Sequence, residues 1–394
     1  MMRSFPKNVL MRRGLTILFA ATALSSGLPS LQVSAATASQ NAGADLVYVG
    51  MDGGQLGAMR FDAGTGKLVR IGVLAEVPKP RWAVAHPQLP MLYVSSDGNT
   101  KDGSVIAFLV DRETGALTRV GEVSAGGAGT THLWLDMPSM TLLAANFGGG
   151  STSSIVLMRD GSLGPLVSTI KATGSGPHRR QASPHAHGVA VDPSGRYVLV
   201  SDLGADRLFV YGFDRRTHVL SPDDKANPKS FVSSAGSGPR HFVFGLNGNF
   251  VYLLNELAAE LMALRWDAQQ GRLTPVQSVP ASSPEFKGAK SAAGIAISLD
   301  GRFVYVADRG EQTLVVYRVN PDSGELSLVQ RTSSGGEIPW AFAIHPSGKW
   351  MLVANQRSGK VNVFSINPES GLLSDTGQSA DAPAPLSITF VSGE

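Results

Sequence analysis

Ionisable and amide side chains recur at one kind of position in this sequence, the ends of short apolar runs. Before such runs stand His185 and His187 in S-P-H-A-H-G, and Arg240 with His241 in G-S-G-P-R-H. After them stand Asp202, Asn255 with Glu256, Asp308 with Arg309, and Asn355 with Gln356. An imidazole can take a proton near neutral pH, a carboxylate can orient it, and a guanidinium offers a planar fork to two oxygens. Gathered in one place, these groups suit the hydrolysis of an ester-like carbonyl. A base draws a proton from water while arginines hold the oxyanion or an anionic tail of the substrate. Two arginines beside Glu256 would keep it ionised and weaken it as a base. A plainer account makes the Arg–Glu–Arg group a salt-bridge network stitching neighbouring units. It likewise makes Asp202, Asn146 and Asn355 caps of strand-end turns.

Other constellations carry less. His185 and His187 alternate as two ligands on one strand would, but no third ligand stands at suitable spacing, so no metal is expected, and no cofactor. G-S-G-P-R-H lacks the lysine and following helix of a phosphate loop, and no G-x-S-x-G elbow supports a serine hydrolase. His86 and His345 each precede a proline at a turn and read as structural, and His178-Arg-Arg180 reads as a solvated loop. With no cysteine there is no thiolate nucleophile, disulfide or zinc-thiolate site.

The elements that must position these groups repeat. Met51, Ser96, Asn146, Asp202, Asn255, Asp308 and Asn355 each end a run such as V-Y-V-G, L-Y-V-S or V-L-V-S. Their spacing of about 45–56 residues is that of propeller blades. Each run but the first returns from an earlier strand: Trp82–His86, His132–Asp136, Gly188–Asp192, His241–Phe244, Gly294–Ser298 and Ala341–His345. A third and a fourth strand follow, separated by turns such as E-T-G-A-L and D-S-G-E-L. The fold class predicted is all-β, a seven-bladed β-propeller of four-stranded antiparallel blades. The N-terminal unit lacks its first strand, which Leu386–Phe390 supplies by pairing with Leu46–Gly50, closing the ring and hiding both sheet edges. In each blade the start of strand one and the end of strand two then share one face of the disc. The opposite face carries only turns such as D-P-S-G, L-D-G-R and H-P-S-G.

Residues 1–35 stand apart. Arg3, Lys7, Arg12 and Arg13 precede an apolar core at Leu15–Leu24, too short to span a bilayer as a stable helix, and Val33-Ser-Ala35 resembles a cleavage signal. The prediction is a signal peptide over 1–35, a short linker over 36–44, and one propeller domain over 45–394, exported to the periplasm. The segment holds four of the 34 Lys and Arg and no acid, leaving 30 basic against 31 acidic residues. Without a basic surplus, a nucleic-acid or anionic-membrane partner loses its electrostatic support.

The motifs P-H-A-H-G-V-A-V-D-P-S-G-R-Y-V-L-V-S-D-L-G, G-S-G-P-R-H-F-V-F and Y-L-L-N-E-L resemble those of the seven-bladed lactonase family. That family includes bacterial 6-phosphogluconolactonase and the carboxymuconate-lactonising enzyme. S-A-A-G-I-A-I-S-L-D-G-R-F-V-Y-V-A-D-R-G extends the likeness, which covers the chain after its signal segment. The resemblance implies a sugar-lactone substrate, and catalytic roles for His187, Arg240, Glu256 and Arg309; with Glu256 weakened as a base by its arginines, His187 is the expected base and Glu256 its orienting partner. Around them His185, Asp202, His241, Asn255, Asp308 and Asn355 are candidate substrate-binding groups. The sequence departs from the family pattern at Asp308, where Asn is usual, at Gly294, where an acid is frequent, and at Trp340, where an arginine often follows proline. Export implies an unphosphorylated aldonolactone as the alternative to a phosphorylated one. The rival activities are a muconate-type lactonising isomerase or lyase, and a non-catalytic exported propeller that binds a partner on its polar face.

Overall fold

The computed structural model describes residues 45–97, 102–224 and 229–391. The predicted signal segment and linker lie outside them. Seven antiparallel sheets follow one another around a ring, and the C-terminal strand Pro385–Val391 pairs with the first strand, Asp45–Met51. The register joins Leu46 to Val391 and Gly50 to Ser387. The predicted closure is therefore the observed one. His345 fastens it from the neighbouring blade, its Nε2 lying 2.6 Å from Asp45 Oδ2. We number the blades 1 to 7 from Asp45–Met51 onward. Blade 4 departs from four strands, because two short segments, Val219–Ser221 and Ser230–Val232, both pair with Arg207–Asp214. No helix among the described residues is long and apolar enough to cross a membrane.

The inner strands are apolar on both faces because each is packed between two blades. Leu46 and Tyr48 join Leu92, Val94 and Ile106 of blade 2, while Val47, Val49 and Met51 join Leu352, Val361 and Val363 of blade 7. That explains runs such as L-V-Y-V without alternation. Each fully buried side chain of this kind contributes about 1.5–3 kcal/mol. Hydroxyl ties add direction: Tyr48 donates to the Gly115 carbonyl at 2.8 Å, and Tyr93 to Gly161 at 2.7 Å. The outermost strands, such as Leu163–Lys171, alternate half-buried and exposed residues, as a sheet edge facing solvent should.

One irregularity recurs and positions the site. The first strand of a blade starts earlier than its apolar run suggests, and near that start it bulges. Thr130 pairs with Asn146 and His132 with Ala145, so Thr131 is the extra residue. Likewise His187 is extra between Ala186 and Gly188, Arg240 between Pro239 and His241, Trp340 between Pro339 and Ala341, and Leu386 between Pro385 and Ser387. In blade 6 the register shifts between Ala292 and Ile295, across Ala293. A bulge re-aims one side chain without ending the ladder. Here it is repeated around a channel.

Candidate active site

The bulge residues and the residues just past the second strands meet at one mouth of the channel. An outer chamber of about 260 Å³ is lined by Arg81, Thr131, His187, Arg240 and Trp340 from the first set and by Asp97, Phe147, Glu256 and Arg309 from the second. Beneath it an inner pocket of about 60 Å³ reaches Trp82, His241, Phe342 and Leu386. These volumes lie below the roughly 300–1,000 Å³ of pockets for drug-sized ligands and suit one sugar-sized ring. The floor is a group of rings from opposite sides of the channel. Trp82 and His132 centroids are 4.3 Å apart, Trp82 and His241 5.3 Å, His132 and His241 5.0 Å, and His187 and His241 5.0 Å.

Glu256 is the centre of charge. It follows the strand Phe250–Asn255 in a tight turn, its amide bonded to the Gly238 carbonyl at 2.7 Å. Its Oε2 accepts from Arg240 Nε at 2.9 Å, and its Oε1 lies 3.0 Å from Arg309 and 2.5 Å from Arg180. Burial alone would raise its pKa, but Arg309, Arg240, His187 and Arg180 outweigh it and hold the carboxyl far below its usual range. Arg240 is buried, also donates to the Ala293 carbonyl, and lies 3.2 Å from His241 Nδ1. Burial and the Arg309 charge pull its pKa down to about 9, which still leaves the guanidinium charged at neutral pH. The Arg309 guanidinium sits 4.6 Å above the Trp340 ring and donates to the Ala292 carbonyl at 3.2 Å. Trp340, where the motif comparison expects an arginine, thus braces one.

Burial, reinforced by Arg240, drives the His187 pKa well below the ordinary histidine value, only partly opposed by Glu256. The ring is therefore neutral at pH 7 and its Nε2 lies 3.9 Å from Glu256 Oε2. That is too long for a hydrogen bond. Glu256 acts on His187 through its charge and not as the hydrogen-bonded orienting partner expected from sequence. His241 is held neutral in the same way, and burial with the Arg240 charge lowers His132 to about 3. Five buried polar atoms in this group have no protein partner: Arg81 Nε, Thr131 Oγ1, His187 Nδ1, His241 Nε2 and Arg309 Nε. An unpaired buried polar atom costs about 1–3 kcal/mol, so their concentration around one small chamber marks a ligand site.

The remaining predicted residues lie elsewhere. His185 stacks on Phe147 at 4.4 Å, its Nδ1 lies 2.8 Å from the Phe147 carbonyl, and it walls the chamber from behind. Asp202, Asn255, Asp308 and Asn355 are fully buried. Asp202 accepts from the His185 and Ala205 amides, and Asn255 donates to Glu260. Asp308 accepts from Ser282 and Gly310, and Asn355 donates to Ser334 and Asn362. Each anchors a turn, and the residues after Asn255 and Asp308, Glu256 and Arg309, enter the chamber. Gly294 leaves room for Phe342, whose ring lies 2.8 Å from where a Cβ would stand. No group of three or more histidine or carboxylate side chains able to hold a metal occurs among the described residues.

Arg180 is the clearest correction. Its loop is not simply solvated: buried Gln181 donates to Leu203 and Asp206 and accepts from the His178 amide, pinning the segment. Asp206 also accepts from Gly236 and Gly238, which fixes the Gly-Pro turn leading into Arg240. Gly238 has φ 65° and its Cβ would stand 2.7 Å from Leu257, so no other residue fits there easily. Arg81, Thr131 and His132 were also outside the expected site. Aligning P-R-W, T-T-H and P-R-H against the bulge would have found all three.

The family model for the seven-bladed β-propeller lactonases matches residues 42–390. The chain is 33% identical over 303 residues to the 6-phosphogluconolactonase of Bacillus subtilis, covering 76% of this chain and 84% of the relative. It is 31% identical over 245 residues to a 6-phosphogluconolactonase of Pectobacterium carotovorum, covering 62% and 68%. Among solved structures it is similar to the periplasmic gluconolactonase of Pseudomonas aeruginosa, with a TM-score of 0.81, 31% identity, and coverage of 89% of this chain and all of that one.

Proposed function

The chain belongs to the seven-bladed β-propeller lactonase family, and we propose that it hydrolyses the ring ester of a sugar δ-lactone at the mouth described above, as a 6-phosphogluconolactonase-like enzyme. The observation that carries this reading is a neutral, buried His187 beside an ionised Glu256 that three arginines clamp. His187 takes a proton from water as the hydroxide oxygen bonds to the lactone carbonyl carbon. The carbonyl becomes an oxyanion, held by Arg240 or Arg309. The ring C–O bond then breaks, and the leaving alkoxide takes the proton back from the imidazolium to give the hydroxy acid. During its brief protonation His187 is favoured by Glu256, 3.9 Å away. General-base help of this kind contributes about 10²–10⁴-fold. Arg180 and Arg309 share Glu256 Oε1, so their geometry is set before substrate arrives.

The test is a pH-stat assay over a panel of δ-lactones, with and without phosphate, corrected for spontaneous opening. Turnover lost in Arg240→Ala and His187→Gln is the expected result. A wild-type rate equal to the background on every lactone, with muconate lactonisation seen spectroscopically instead, would sink the hydrolase reading. Export belongs to the same proposal. The basic and apolar character of residues 3–24 supports a cleaved segment over 1–35, and the likeness to a periplasmic gluconolactonase agrees with it. N-terminal sequencing of the periplasmic protein should begin near residue 36; a full-length N-terminus in the cytoplasm would overturn it.

A further inference from the structure

Arg81 is the cation that this mechanism leaves unused. It occupies in blade 2 the place that Arg240 holds in blade 5, since Ser95 donates to the Trp82 carbonyl just as Leu254 pairs with His241. P-R-W and P-R-H are thus one motif used twice. In a ring of seven, blade 2 stands across the channel from blades 5 and 6. Arg81 therefore lines the chamber from the wall opposite Arg240, Glu256 and Arg309.

What distinguishes it is its lack of a counter-charge. No carboxylate lies within ion-pair distance of Arg81 among the described residues, and its Nε is buried without a partner. The acid on its own side, Asp97, is occupied by Lys79 at 3.6 Å and by the Gly129 amide at 3.1 Å. Arg81, Arg180, Arg240 and Arg309 line the chamber against Asp97 and Glu256 alone, and the histidine there, His187, is neutral. A guanidinium held in a partly buried wall with no carboxylate is stabilised by an anion that comes with the ligand.

We propose that Arg81 determines specificity by binding an anionic group, phosphate or carboxylate, at the end of the substrate remote from the ring carbonyl. This rests on the lactonase reading, which puts the carbonyl against the opposite wall. An uncharged δ-lactone would use only that wall. A lactone with a terminal anion would span the chamber and be held at both ends.

The experiment compares wild type, Arg81→Ala and Arg81→Lys on three lactones of one sugar: glucono-δ-lactone, its 6-phosphate and its 6-carboxylate counterpart. In Arg81→Ala the KM for the preferred anionic lactone should rise on the order of 10–100-fold, the range of one charge-assisted contact, with kcat within about twofold. The uncharged lactone should lose much less than the anionic one, Arg81→Lys should recover part of the loss, and whichever anion responds identifies the group. An equal change on charged and uncharged lactones, or no change on any, overturns the proposal. Calorimetric binding of gluconate, 6-phosphogluconate and glucarate separates its failure from that of the lactonase reading. Binding of a dianion that depends on Arg81 sustains the proposal even where no lactone is opened, and binding that ignores Arg81 refutes it. Because the side chain has no protein partner, the melting temperature of Arg81→Ala should match wild type.

Discussion

The two ends of the central channel are made from the same strands yet have opposite characters. At the mouth, four arginines, two carboxylates and the neutral His187 line the chamber. At the other end a wider opening of about 530 Å³ is lined by Val84, Leu133, Trp134, Leu135, Ile344 and Phe390. Apart from His86, whose Nε2 is unpaired, the polar residues of that far rim are mostly committed to their own turns or to a neighbouring blade. Asp192 accepts from Ser194, Arg196 and Tyr197, Asp300 from Ser298 and Arg302, and His345 from Ser347. The mouth instead keeps unpaired atoms on Arg81, Thr131, His187, His241 and Arg309. Far-rim polarity shapes the chain, whereas mouth polarity is left for a ligand.

That contrast breaks most sharply at Glu256. Replacing it with Gln leaves three arginines around a neutral side chain, and loss of one partner from a buried charge network costs about 3–5 kcal/mol. Stability and turnover should fall together. Asp192→Ala at the far rim should lower the melting temperature too, since it removes several turn bonds. Its kcat/KM, measured well below melting, should equal wild type. An Asp192→Ala enzyme with impaired turnover would show that the two ends are not separable.

His187→Gln should have the next largest effect, a fall in kcat of about 10²–10⁴-fold with little change in melting temperature. Because burial keeps His187 in its base form, wild-type turnover should stay level from pH 8 to pH 6. A fall with an apparent pKa near 6.5 would mean that an exposed histidine does the work.

The sequence carried the ring closure, because the missing first strand of the N-terminal unit and the spare strand at Leu386–Phe390 are both visible as apolar runs. It carried His187, Arg240, Glu256 and Arg309 because turn motifs flank them. It put Asp202, Asn255, Asp308 and Asn355 in the site, where they anchor turns instead; after Asn255 and Asp308 it is the next residue, Glu256 or Arg309, that lines the chamber. Nor did it show Arg180, which a loop of fourteen residues (172–185) delivers through the buried Gln181–Asp206 contact. Period-two patterning does not mark a bulge's extra residue here, because it stands at the start of the strand, ahead of the apolar run that defines the pattern. Thr131 and Arg81 were hidden for that reason.

Below the mouth, the ring floor predicts a pH effect on stability. His132 stays neutral in the folded protein down to about pH 3, whereas an unfolded histidine protonates near 6.5. Between those values the unfolded chain binds the extra proton. Stability should thus be complete above pH 6.5 and fall on acidification, by up to about 1.4 kcal/mol per pH unit for this residue. His187 and His241 shift in the same direction. Melting temperatures of wild type and His132→Gln at pH 7 and pH 5 should converge at the lower pH. Parallel loss in both proteins would place the acid sensitivity outside the floor.

The smallest effect concerns how the mouth is held in shape. Trp340 makes no hydrogen bond to the Glu256 group, but its ring lies 4.6 Å from the Arg309 guanidinium. A cation–π contact in a partly desolvated site is worth about 0.5–2 kcal/mol, which bounds the loss at roughly 2- to 30-fold if Arg309 must be held still for the oxyanion. Trp340→Phe keeps an aromatic face and should lose least. Trp340→Leu keeps volume without the quadrupole and should lower kcat more than it raises KM, because the contact positions a group used in the transition state. Trp340→Arg restores the residue common after this proline but sets a fourth cation on a single carboxylate already shared by three. It should therefore be worse than Trp340→Leu for an uncharged lactone and recover on an anionic one. A Trp340→Arg enzyme that improves on both would mean that Arg309 needs no brace, and that the mouth tolerates cations as freely as the far rim tolerates apolar side chains.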